Sequence, residues 1–358
     1  MAGENVHIPA TMHTAVLTGL RRIELIEVPT PAPGPGQVLV RLRAVGICGS
    51  DVHHYADGRI GDAVDKFPVV LGHEPAGEIA ALGVGVSGLA VGERVAIEPA
   101  LSCEACPTCR EGRQNSCPHV QFLGTPPVRG VFEEYHLFHP EQCVPLPDGI
   151  SFEEAAALEP MAVALHAVGL ARLKLGARVA IMGGGPIGML TAAAARLAGA
   201  SFVAMTEPIP ARRALAARFG VDLALDPFAG DAKAEIKKAA GQIDTAFEVA
   251  GVQEAVDDAT QIAGPGGTAV IIGIPAVDRI SLAVHDLRRK ELHMIMARRA
   301  NHTLEPAMRL LKAGRIDPGA IITHRFSLAQ TAQAMELVHA YGEGVLKAMI
   351  VMESRQTS

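Results

Sequence analysis

Four cysteines, Cys103, Cys106, Cys109 and Cys117, fall within fifteen residues, with two, two and seven positions between them. Four thiolates on one loop are the donor set of a closed tetrahedral zinc site, whose role is structural. Pro107 and Gly112 let the chain turn back around an ion. The flanks are acidic or neutral as often as basic, unlike a zinc ribbon that grips nucleic acid. A second, sparser group has the makings of an open site. Cys48 and Ser50 sit in Ile47-Cys-Gly-Ser-Asp-Val-His53, His73 and Glu74 follow about 25 residues later, and Glu159 comes much further on. Catalytic zinc uses about three protein ligands and leaves a position for an exchangeable oxygen. Cys48 and His73 are suitable ligands, and a carboxylate from Glu74 or Glu159 completes the set.

A third pattern points to a dinucleotide. Gly183-Gly-Gly185-Pro186-Ile187-Gly188 satisfies G-x-G-x-x-G, follows a predicted strand and opens a predicted helix. In that context the first Gly makes the tight turn, the second admits the pyrophosphate, and the third lets helix and strand pack. The phosphates then rest on the positive end of the helix. Glu207 ends the next strand, nineteen residues beyond Gly188, where an acidic side chain binds ribose hydroxyls. Its charge repels a 2′-phosphate and favours NAD over NADP. Arg212 and Arg213 lie close enough to temper this, as cofactor contacts or as ordinary charges of the following helix.

These groups need elements to hold them. The segment up to about residue 150 is rich in Gly, Pro and short β-branched runs. Val38 to Val45 alternates as a half-buried strand, and Val91 to Ile97 follows a Gly-rich turn. The texture changes at Ser151-Phe-Glu-Glu154, a capping box that opens an Ala-rich stretch to about Leu173, one helix or two in close succession. Strands are expected at 178–182, 202–206, 223–225, 245–249, 268–272 and 293–297, with helices at 187–197 and 211–219 between them. That alternation is the mark of a doubly wound parallel sheet. Residues 305–311 and 328–339 read as helices, and 353–358 as a short polar tail.

Composition narrows the function. The chain has 358 residues, enough for two domains, with 49% hydrophobic and 20% charged residues. Aromatic content is 4% and net charge −6, which removes the stacking surface and the electrostatics of a nucleic-acid binder. No signal peptide and no stretch of about 18 apolar residues is read, so a cytoplasmic protein is expected, one that does not span a membrane. Six cysteines in such a chain favour metal over disulfides.

Taken together, Gly46-Ile-Cys-Gly-Ser-Asp51, Gly72-His-Glu74, the four-cysteine loop and Gly183-x-Gly-x-x-Gly188 resemble the zinc-containing medium-chain dehydrogenases, in that family's order and spacing. The resemblance covers nearly the whole chain. It implies a GroES-like, mostly β catalytic domain over 1–158 and 299–358, interrupted by a Rossmann NAD-binding domain over 159–298. Glu159, where ordinary alcohol dehydrogenases carry a cysteine, is similar to the polyol branch. So are His53-His-Tyr-Ala-Asp-Gly-Arg-Ile-Gly61, Arg298-Arg-Ala-Asn301 and Thr323-His-Arg-Phe326. The likeness implies one catalytic and one structural zinc per chain. Cys48, His73 and either Glu74 or Glu159 hold the former, and the other carboxylate holds a water. It further implies oxidation of a secondary hydroxyl of xylitol, sorbitol or a similar small polyol to a ketose, with hydride transfer to NAD. Ser50 accepts the alcohol proton and His53 passes it outward, while Ser50, Tyr55, Thr125 and Arg298 contact substrate. A dimer or homotetramer is expected. Another secondary-alcohol substrate such as butanediol, threonine or a sugar acid is the near alternative. A non-catalytic zinc-stabilised NAD-binding protein is the distant one, because it has no need of an open site.

Overall fold

A computed structural model describes residues 7–61, 63–275 and 277–352, so the expected tail at 353–358 lies outside the described residues. The chain divides into two compact units, one running through Glu159 and resuming at Met308, the other spanning Pro160–Ala307.

The first unit is built on a seven-stranded sheet. Its order is Cys143–Pro145, Arg94–Ile97, Glu74–Leu82, Val38–Gly46, Lys347–Val351 and Ile322–Phe326, with Tyr135–Phe138 also paired to Val38–Gly46. All pairs are antiparallel except the last two strands on the path. Alternation along Val38–Gly46 explains its place. Val38, Val40 and Leu42 enter a core with Ile79, Val95, Ile97, Phe132 and Phe138, while Arg41 and Arg43 take the opposite face. Lys347–Val351, an apolar run after Leu346, completes the sheet beside Val38–Gly46.

Three strand ends meet where chemistry was expected. The register sets Gly46 opposite both Glu74 and Met349, two residues from Lys347. A Cβ on Gly46 would stand 1.9 Å from Glu74 Oε2 and 3.0 Å from Lys347 Cε, so only glycine leaves room for those two side chains. The chain then turns at Ile47 into the helix Gly49–Asp57, with Cys48 as its N-cap.

The second unit is a six-stranded parallel sheet in the order Leu223–Leu225, Phe202–Thr206, Arg178–Met182, Ile243–Glu248, Ala263–Ile271, His293–Met296. This is the doubly wound Rossmann order, with its switch point between Arg178–Met182 and Ile243–Glu248. The helix expected over 211–219 is instead a short α-turn at Pro210–Arg213 and a 3-10 turn at Ala216–Phe219, stopped by Gly220 in the left-handed region. The capping box at Ser151 forms, with Ser151 Oγ accepting from Glu154 N at 3.1 Å, and the stretch makes two helices in close succession, Phe152–Ala156 and Leu158–Ala171. By length and composition Phe152–Ala171 is apolar enough to cross a membrane, contrary to expectation, yet 67% of its window is buried inside the protein, as in a core helix.

Candidate active site

Cys48 and its helix are held by a carboxylate. Asp51 stands at the third helical position, and its Oδ2 accepts from Cys48 N at 2.9 Å. Oδ1 of the same group accepts from Gly72 N at 3.0 Å and lies 3.5 Å from His73 Nδ1. One buried side chain thus ties the cysteine's backbone to the segment carrying the histidine. Burial opposes the charge on Asp51, but the His73 ring and the two backbone N–H groups outweigh it and keep the carboxyl below its ordinary range. With Nδ1 on Asp51, the imidazole keeps Nε2 for a ligand, the usual carboxylate–histidine arrangement of metal sites.

Cys48 Sγ, a His73 ring nitrogen and a Glu74 carboxylate oxygen all lie within 4.8 Å of one another, and His73 and Glu74 are buried. Glu159 does not join that trio, but it is buried close enough to sense it. Burial pushes its carboxyl up to about 8, with His73 opposing and Glu74 adding to the rise. Of the two carboxylates left open by the sequence, Glu74 converges with Cys48 and His73. Lys347, which the sequence reading missed, donates from Nζ to Glu74 Oε1 at 2.6 Å. The two side chains are 2% and 1% exposed, so this is a fully buried ion pair. Glu98 escaped notice as well: burial raises its carboxyl to about 7. A Lys in an apolar strand and a Glu before Pro99 carry no motif. Only the pairing of distant strands makes them neighbours of a site.

The donor chemistry fits zinc. A soft thiolate, an imidazole and a carboxylate are a three-ligand set that leaves a position open. The four-cysteine loop fits a second ion more tightly. Its sulfurs are 3.5 Å (Cys106–Cys109, Cys103–Cys117), 3.9 Å (Cys106–Cys117) and 4.0 Å (Cys103–Cys109) apart. Zinc–sulfur bonds of about 2.3 Å in a regular tetrahedron put sulfurs about 3.8 Å apart. Backbone N–H groups of Cys106, Cys109 and His119 point at Cys103, Cys106 and Cys117 sulfurs at 3.3–3.4 Å. Backbone donors from Ala105 and Cys106 lower the Cys103 thiol to about 6, which favours the thiolate a metal needs.

Ser50 and His53 lie half-buried on the same helix as Cys48, and His53 Nδ1 is 3.1 Å from Asp57 Oδ2. Thr125 is half-buried in a turn after Gln121–Phe122. Tyr55 is 3% exposed in the core, with its hydroxyl donating to Glu336 Oε2 at 3.2 Å. His54 is buried against Asp65, at 2.9 Å from both its oxygens. Arg298 is on the other unit, exposed at the end of the sheet.

In the Rossmann unit, Gly183 has φ +117°, and a Cβ on Gly188 would stand 2.0 Å from Gly183 O. Pro186 opens the helix Pro186–Leu197 behind the turn. Glu207 is buried and spans the turn, its Oε2 accepting from Gly184 N at 2.9 Å and Oε1 from Ile209 N at 2.8 Å. Arg212 is buried beyond it, and Arg213 Nη1 donates to the Glu207 and Pro208 carbonyls at 2.6 Å.

Comparison with known proteins agrees with this geometry. Residues 34–148 match the family of the alcohol dehydrogenase GroES-like domain, and 186–313 the zinc-binding dehydrogenase family. A sorbitol dehydrogenase of Bacillus subtilis is 39% identical over 96% of this chain and 98% of its own length. A D-xylulose reductase of Saccharomyces cerevisiae is 34% identical over 92% and 94% of the two chains. Among solved structures, a zinc-binding dehydrogenase from Sinorhizobium meliloti bound to NADP superposes with a TM-score of 0.88 at 33% identity, covering 96% of this chain and all of that one.

Proposed function

The chain belongs to the zinc-dependent medium-chain dehydrogenases, on their polyol dehydrogenase branch, and from that premise we propose that it oxidises a secondary hydroxyl of a xylitol- or sorbitol-class polyol to the ketose, with NAD as hydride acceptor. The observation that carries the reading is the buried trio Cys48, His73 and Glu74, with the carboxyl of Glu159 beside it. Zinc, when bound there, supplies Lewis-acid polarisation of the substrate hydroxyl. Asp51 orients His73, Lys347 holds Glu74 through a buried ion pair, and Glu159 stands beside the trio. Ser50 takes the hydroxyl proton and His53, oriented by Asp57, passes it to solvent. NAD, when bound on the Gly183–Gly188 turn, would supply the acceptor for the hydride that a secondary alcohol must lose to become a ketone.

Glu207 supports NAD over NADP. Its buried carboxylate closes the end of the second Rossmann strand, where a 2′-phosphate would meet like charge. The edge strand His293–Met296 supports a homo-oligomer, either a dimer or a tetramer. Met296 is 63% exposed there, with Ile274, Val277 and Val284 exposed nearby in sequence. A cytoplasmic location goes with the same reading.

The test is a metal and turnover assay on the purified protein. Two zinc ions per chain with NADH formation from xylitol or sorbitol supports the proposal. One zinc and no turnover with any polyol or secondary alcohol would reduce the chain to a nucleotide-binding module. Turnover with butanediol alone would move the substrate class.

A further inference from the structure

The outer face of the seven-stranded sheet carries an unbalanced cluster of charge. Arg41 and Arg43 lie half-buried on Val38–Gly46, on either side of Leu42, where the register against Glu74–Leu82 slips. The register puts Arg41 opposite Glu78 and Glu78 opposite Arg94, so three strands contribute to one row. Arg43 Nη1 is 3.6 Å from Glu78 Oε2. The Cζ atoms of Arg43 and Arg94 lie 5.2 and 4.6 Å from the centroid of one ring, Phe152, which serves both guanidiniums as a platform. Arg94 also donates from Nη2 to the Ile150 carbonyl. Arg43 thus pairs with Glu78, while Arg41 and Arg94 sit across from Glu78 on the two flanking strands. The neighbouring Glu153 is already committed, accepting from Arg325 Nε at 3.0 and 2.9 Å.

The surplus is felt. Burial first, then repulsion from Arg41, disfavours the charge on Arg43; Glu78 offsets this in part, and Arg94 adds to it. Arg43 Nε is buried without an acceptor among the described residues, an arrangement that disfavours the folded state unless a ligand supplies one. Yet the cluster is open to a ligand, for the Arg43 and Glu78 side chains are 27% and 28% exposed. Clustered guanidiniums that outnumber the carboxylates among the described residues around them, lie over an aromatic ring and reach solvent are suited to a tetrahedral dianion, which accepts paired N–H bonds and cancels the excess.

We propose that Arg41, Arg43 and Arg94, seated on Phe152, form a binding site for a phosphate-type oxyanion, either inorganic phosphate or the phosphoryl group of a small phosphomonoester. The site stands on this sheet face alone and does not depend on the substrate assigned above.

Isothermal titration of the zinc-loaded enzyme, saturated with NADH to block the dinucleotide turn, tests this with inorganic phosphate and with glycerol 3-phosphate at constant ionic strength. One saturable phosphate per chain is expected. Arg43→Gln weakens it by about tenfold or more, the loss of one charge-assisted pair, and leaves polyol-dependent NADH formation intact as a control for folding. Glu78→Gln tightens it by removing the competing carboxylate. Tighter glycerol 3-phosphate than phosphate makes the phosphomonoester the ligand; the reverse order makes it free phosphate. No saturable binding in the wild type, or binding that neither substitution changes, overturns the site. So does phosphate affinity that appears only on dissociation into single chains, which would mean that a carboxylate of a second copy fills the cluster.

Discussion

Lys347→Met is the most informative single substitution. Lys347 Nζ lies 2.6 Å from Glu74 Oε1, and neither side chain reaches solvent. At an effective dielectric of about 20, unit charges about 3 Å apart attract by roughly 5.5 kcal/mol. Methionine fills the stem's volume but leaves Glu74 as an uncompensated charge beside Cys48 and Glu159. Removing one partner of a buried pair costs about 3–5 kcal/mol. In chelator-treated protein that loss should appear as a lowered urea midpoint for the catalytic unit. Zinc ligated by Glu74 supplies two positive charges to the same carboxylate, so the loss should shrink markedly in the zinc-loaded protein. Glu74→Gln combined with Lys347→Met should recover much of the stability of the zinc-free form, because both charges are then gone. Equal losses with and without zinc would refute Glu74 as a zinc donor. A loss below about 1 kcal/mol in the zinc-free protein would refute the buried pair itself.

Three further outcomes are expected. Cys109→Ser should lower zinc from about two ions per chain to about one, read by metal analysis, while the remaining zinc still supports turnover; loss of both ions would show that the two sites are not independent. Gly188→Ala places a Cβ 2.0 Å from Gly183 O. Overpacking of that kind costs about 1–3 kcal/mol, so NADH titration by fluorescence should show binding weaker by about five- to 140-fold, and unchanged affinity would remove the turn from the cofactor site. Burial raises the Glu98 carboxyl from its ordinary 4.5 to about 7. The folded protein therefore keeps this proton longer than the unfolded chain does. The stabilisation is complete below about 4.5 and is lost as pH climbs through about 7. Glu98→Gln should flatten the wild type's decline across that window in urea titrations at stepped pH, and an unchanged slope would show that Glu98 is not the group responsible.

The parts of this molecule that could be read beforehand are those whose chemistry is local in sequence. The strand Arg178–Met182, the glycine turn and the helix behind it follow one another within twenty residues, so period and turn chemistry suffice to place them. The same holds for the four cysteines, which need only one loop to meet. Asp51 could have been found by the same means. A capping residue three positions after Cys48 is a local signal, passed over because the helix is short and cysteine is an unusual N-cap. Glu74 and Glu159 could not be separated beforehand, because both are carboxylates at unconstrained distances from Cys48. The distinction rests on register, which sets Glu74 directly across from Gly46. Lys347 was hidden for the same reason and more deeply. In Val345-Leu-Lys-Ala-Met-Ile350 it reads as an exposed lysine interrupting an apolar strand, yet it is buried because the strand beside it ends in glycine and leaves a slot.

That slot suggests how the site is specified. An open zinc site with a buried ligand carboxylate needs a cation beside that carboxylate, because an unpaired buried charge is costly. A cation delivered from a third strand solves this only if the middle strand has no side chain at the crossing point. Gly46 therefore belongs to the zinc site as much as its ligands do, although it has no donor atom. The expectation is a graded one. Gly46→Ala should force Glu74 and Lys347 apart, lowering zinc affinity at the catalytic position in a chelator competition while the cysteine-loop ion stays bound. Lys347→Arg, too bulky for a slot in which Lys347 Cε already lies 3.0 Å from the position a Gly46 Cβ would take, should do likewise. If Gly46→Ala leaves catalytic zinc affinity unchanged, the three-strand crossing is only packing and has no part in holding Glu74 at the site.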